Sequence, residues 1–206
     1  MQDFLVILDL FLKILFPIVC CIGGTFLFFR GAKAEEIGQQ YFFYGLGLFG
    51  YLYAFTRICF VISEFNILYP IFWRLGQVIS FTAMLILILV LERYIVKTKY
   101  IFTIICAIGT LLTAVLPQNV VMIVIAINSA IVLIVILSIY LYVGKKSQGA
   151  PRVKALKSAI SIFILVVGIF IEGSFGRALL GFDTGILGTS IMIIGISYYF
   201  IINYST

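Results

Sequence analysis

The feature that most limits this chain is a succession of apolar runs, separated only by short polar stretches, that begins at Phe4 and continues almost to the C-terminus. In lipid no water is present to satisfy a backbone group, so a run of roughly 20 apolar residues closes its hydrogen bonds within itself as a helix. The two-residue alternation of a membrane barrel is absent. Hydrophobic residues make up 64% of the chain and charged residues 11%, whereas soluble domains carry roughly 25% charged residues. The expected fold is therefore all-α: a polytopic membrane protein forming one seven-transmembrane-helix domain over residues 1-206.

Run lengths place helices near 4-29, 41-63, 71-91, 100-116, 120-143, 156-175 and 184-203. The fourth is the shortest, close to the lower limit for a crossing, and Pro117-Gln118-Asn119 forms the turn that separates it from the fifth. Pro17 removes a backbone donor inside the first helix, where a kink is expected; Pro70 starts the third, and Pro151 falls in a loop. The chain opens with Met1, Gln2 and Asp3 rather than a basic start, so the first segment is expected to remain as a helix.

Basic residues near helix ends stay on the cytoplasmic side. Arg30, Lys33, Arg93, Lys97, Lys99, Lys145, Lys146, Arg152, Lys154 and Lys157 collect on one side, against Arg57, Arg74 and Arg177 on the other. The expected location is the cell membrane, with the N-terminus outside and the C-terminus cytoplasmic. The loop from Gly144 to Lys157 should lie against anionic lipid, or serve an acidic cytoplasmic partner.

The net charge of +6 sits at the ends of apolar runs, not on a soluble aromatic-interleaved face, so the lipid bilayer and not nucleic acid is the expected partner. Cys20, Cys21, Cys59 and Cys106 all lie in apolar stretches, and the chain has no histidine. Neither a metal site nor a cofactor is expected, and nucleophile-and-base chemistry finds no evident residues.

Ionisable groups inside a membrane are costly and usually face the bundle interior or a wet cavity. Arg57 is about sixteen residues into the second helix and Glu172 about seventeen into the sixth, a similar depth at 1.5 Å per residue. Tyr53, Arg57 and Glu64 share a helix face, as do Arg74 and Gln77 on the third helix. With Arg177 and Asp183, these residues could line an outward-facing pocket for a small anionic or zwitterionic ligand. They also fit a structural ion network tying helices two, three and six together. Asp9 and Lys13 form an i, i+4 pair, Asn128 should bond to a neighbouring helix, and the glycines of helices two and seven should permit close packing. Tyr198, Tyr199 and Tyr204 read as an interfacial aromatic belt.

Seven helices with an external N-terminus, and Glu92-Arg93-Tyr94 at the cytoplasmic end of the third, resemble the acid-Arg-Tyr motif of rhodopsin-like G-protein-coupled receptors. That resemblance implies a cytoplasmic switch in which Glu92 restrains Arg93. The short loops and Ile/Tyr-rich texture also resemble uncharacterised compact seven-helix membrane proteins of archaea, which implies no activity. A retinal Schiff base is excluded because residues 184-203 contain no lysine.

The expected function is a receptor- or sensor-like module that signals through a cytoplasmic partner or a membrane subunit. A small-solute transporter or its binding subunit would use the same outer charges. A structural assembly subunit would use them for packing alone.

Overall fold

The computed structural model describes residues 2–65, 69–96, 98–172 and 184–204. Seven α-helices run through them: α1 (Gln2–Lys33), α2 (Ile37–Phe65), α3 (Tyr69–Leu91), α4 (Ile101–Val115), α5 (Gln118–Lys146), α6 (Ala150–Glu172) and α7 (Gly185–Tyr204). A π-helical turn, Glu92–Val96, extends α3. No strand occurs among the described residues. Six helices are long and apolar enough to cross a membrane, while α4, with 15 residues, is shorter. This is the architecture of a multi-pass membrane protein.

Several boundaries differ from the sequence reading. The basic stretch after Gly144 is not a long loop: α5 runs through Lys146 and α6 begins at Ala150, leaving residues 147–149 as the link. Gly149 makes this reversal possible because it takes a left-handed φ of 65°, a conformation glycine adopts without steric cost. Pro151 consequently lies in the first turn of α6, where a missing N–H costs nothing because first-turn amides have no helical acceptor. The helix α1 continues through Pro17.

Each helix packs on the next in the chain, and α7 packs back on α1, closing a ring. Direct contact between α3 and α5 leaves α4 at the periphery. Two seams are backbone-close. On α2, a Cβ at Gly47 would stand 3.0 Å from the Gly24 carbonyl oxygen of α1; on α7, one at Gly188 would stand 2.5 Å from the Glu172 amide nitrogen. Small residues permit this approach, and the close packing stabilises where lipid supplies no hydrophobic drive between helices. At the C-terminal end of α7, Arg30 of α1 donates to the Asn203 carbonyl at 2.9 Å and to that of Tyr204, placing a cation at the negative end of that helix.

An aromatic column fills the ring interior. Phe49 stacks on Tyr53 with centroids 5.6 Å apart and meets Tyr199 edge-on at 6.2 Å. The Tyr199 and Tyr140 hydroxyls lie 2.8 Å apart. Tyr199 is thus not part of an interfacial belt: it is 1% exposed, whereas Tyr204 is exposed. Its hydroxyl is satisfied inside the bundle, so the ring can be buried whole.

Candidate functional site

The centre of the site is an ion pair across the ring. The Arg57 Nη2 of α2 donates to the Glu172 Oε1 of α6 at 2.5 Å, and the Thr189 hydroxyl of α7 donates to the same oxygen at 3.1 Å. Arg57 is only 8% exposed, and its guanidinium lies 5.1 Å from the centre of the Phe16 ring. Burying an arginine alone costs several kcal/mol; the carboxylate and the aromatic face together offset that loss. The pairing of Arg57 with Glu172 matches the equal depths read from the sequence.

Beside this pair is a cavity of about 170 Å³ between α2, α3, α5 and α6. Tyr53, Thr56, Arg57, Gln77, Ser80 and Ser129 supply its polar wall, and aliphatic and phenylalanine side chains such as Phe81, Met84, Leu87, Ile136 and Leu165 supply the rest. Thr56 spends its hydroxyl on the Leu52 carbonyl of its own helix at 3.0 Å. The side chains of Gln77, Ser80 and Ser129 enter no side-chain hydrogen bond among the described residues. A cavity of this size accommodates a ring or a short chain, since an engineered cavity of about 150 Å³ takes benzene.

Of the eight residues expected at the site six are described, and these six do not gather in one place. Tyr53, Arg57 and Gln77 line the cavity, and Glu172 pairs with Arg57. Glu64 instead binds Lys13 of α1 at 2.7 Å, and Lys13 also holds Asp9 at 2.8 Å, so the expected Asp9 and Lys13 pair becomes a tie between α1 and α2. Arg74 does not line the cavity and donates to the Leu116 carbonyl at 2.5 Å, at the C-terminal end of α4. Arg177 and Asp183 lie outside the described residues. Among those described, a single arginine faces the cavity, and it already has a carboxylate partner.

Glu92 has a role that the sequence reading missed. It is 1% exposed, and its carboxylate accepts the backbone N–H groups of Phe102 at 3.1 Å and Thr103 at 2.8 Å, together with the hydroxyls of Thr98 and Thr103. The helix α4 begins after Tyr100, whose φ is 63° and whose side chain offers no cap. Glu92 supplies the missing acceptor. Arg93 enters no ion pair among the described residues; its guanidinium lies 5.7 Å from the ring centre of its neighbour Tyr94. The threonines at positions 98 and 103, flanking a helix start, are the signal in the sequence that could have shown this cap.

Asn128 of α5 packs against Gly109 of α4, where a Cβ would lie 2.4 Å from its amide carbon. Its Nδ2 has no hydrogen-bond partner among the described residues. Among the described residues, no group of three His, Cys, Asp or Glu side chains could hold a metal ion.

Fold and site together define an all-helical, multi-pass bundle with a buried ion pair beside an internal cavity. No family model, curated protein or solved structure matches the chain.

Proposed function

We propose that this chain is a receptor- or sensor-like module of the cell membrane, N-terminus outside and C-terminus cytoplasmic, which binds a small molecule in the cavity beside Arg57. The observation that carries this reading is the uneven cavity wall: apolar on most sides, with Arg57, Gln77, Ser80 and Ser129 available to a polar group. Binding cavities commonly combine a largely apolar lining with a few polar groups that fix orientation. Because Glu172 already balances Arg57, a ligand with one polar group on an apolar body fits better than a free anion. A signal would leave through a separate cytoplasmic partner or membrane subunit docking on the basic helix ends.

Transport is the second reading, favoured by one observation: the Arg57 and Glu172 pair links α2 to α6 across the ring, so parting it would loosen two glycine-packed halves. Binding is tested by thermal-shift screening of purified protein against amino acids and short-chain alcohols, acids and ketones. The expected result is stabilisation of the wild type by a member of this panel, reduced in Gln77→Leu and abolished in Ser80→Phe. Equal shifts in all three proteins would place the compound outside the cavity and end the proposal.

A further inference from the structure

Resting on the reading of the cavity as a binding site, we infer that its ligand enters sideways from the lipid, between the α4-proximal half of α5 and the C-terminal half of α6. The ligand class is an uncharged membrane-dissolved amphiphile, with one hydroxyl or carbonyl head on an apolar tail.

The seam between α5 and α6 is closed at one end and open at the other. Near the link between them, a Cβ at Gly144 would stand 2.9 Å from Leu156 Cδ2. From there toward α4 the burial of α5 falls away. Between residues 118 and 131 only Val121 and Asn128 of α5 are buried, and Asn128 faces α4. From 132 onward Val132, Val135, Ile136, Ile139, Tyr140 and Gly144 are all buried. Ser129 of α5 and Ile169 of α6 both wall the cavity and are both exposed, Ile169 by 37%. Leu133 and Val166, each half-buried, complete the rim. The cavity therefore reaches the side of the ring through a mainly aliphatic opening. A water-borne ion would have to shed its hydration there, whereas an alkyl chain passes without loss.

The interior selects the head. A charged group would add one unbalanced charge to a cavity whose arginine is already paired, at a large desolvation cost. A neutral oxygen can accept from Gln77 or from the guanidinium N–H groups left over by Glu172. The cavity of about 170 Å³ holds the head and a few carbons, so a longer tail must lie in the opening.

The test uses full-length protein in lipid nanodiscs and a long-chain alcohol bearing a diazirine within a few carbons of its hydroxyl, with adducts mapped by peptide mass spectrometry. Adducts are expected on the Met84 to Leu87 segment and around Leu133, displaced by excess dodecanol. Val166→Trp and, independently, Leu133→Trp should lower the Met84 to Leu87 adducts about tenfold while leaving adducts on the exposed α4 residues Ile104 and Ile108 unchanged. Undiminished cavity labelling in both variants overturns the lateral route and leaves the binding reading standing. Labelling of the cavity by a diazirine-bearing leucine but not by the alcohol overturns the ligand class. Labelling by neither probe overturns the binding reading itself.

Discussion

Glu92 and Thr103 are joined twice, through the Thr103 backbone N–H at 2.8 Å and through its hydroxyl, so a side chain from the end of α3 serves as the cap of α4. The first amides of a helix lack helical acceptors, and a carboxylate there also meets the positive end of the helix dipole. Arg74 does the converse at the far end, donating to the Leu116 carbonyl. Both charges come from α3 and its π-turn, and both have the sign the dipole favours.

Removing the first clamp should loosen α4. Glu92→Ala is expected to destabilise the protein by about 1–3 kcal/mol, the usual cost of leaving buried polar groups unmatched. Glu92→Gln, which keeps an acceptor, should lose less. Equilibrium unfolding in mixed micelles measures both, and an Ala variant as stable as wild type would show the cap to be idle.

Breaking the Arg57 and Glu172 pair from one side should be worse than removing it altogether. Arg57→Leu is expected to cost about 3–5 kcal/mol because Glu172 is left without its cation, while the double variant with Glu172→Leu should recover most of that loss. A double variant less stable than Arg57→Leu by the same unfolding assay would contradict this.

The two kinds of glycine should respond differently to alanine. At Gly188 the new methyl would sit 2.5 Å from the Glu172 amide nitrogen, forcing α6 and α7 apart at about 1–3 kcal/mol. At Gly149 an added Cβ meets no atom beyond its chain neighbours within 4 Å among the described residues, so only the left-handed backbone resists, at about 1–2 kcal/mol. Amide hydrogen exchange around residues 168–172 of α6 should speed up in Gly188→Ala and stay unchanged in Gly149→Ala.

Orientation is open to a direct test. A cytoplasm-dependent reporter fused after Thr206 should be active, and a reporter that requires export should be silent. The opposite pattern would invert the proposed topology.

The spans were legible because lipid imposes a length on apolar runs, and the similar depths of Arg57 and Glu172 allowed their meeting without fixing it. What the sequence could not show was rotation about each helix axis. In a soluble helix the polar face fixes that angle; here both faces are apolar, so Tyr199 could equally have faced lipid or core. Glu64 shares a helix face with Arg57, yet Lys13 on the neighbouring helix claims it. Arg74 likewise goes to a backbone carbonyl, a partner that no pattern of side chains reveals. The basic stretch after Gly144 read as a loop because its residues are polar, but two helix ends with a three-residue link satisfy more of its backbone.

The shortness of α4 has a consequence beyond the protein itself. Its 15 residues give a helical wall of about 22 Å at 1.5 Å per residue, against a hydrocarbon layer of about 30 Å. Across the other six helices a bilayer finds a wall tall enough to match it; along this one side it does not. A membrane surrounding the ring must pinch inward there or let headgroups and water sink toward the ends of α4, at fractions of a kcal/mol per Å of mismatch. The molecule would then sit in its bilayer with a built-in dimple, marking one direction in the membrane plane as different from all others.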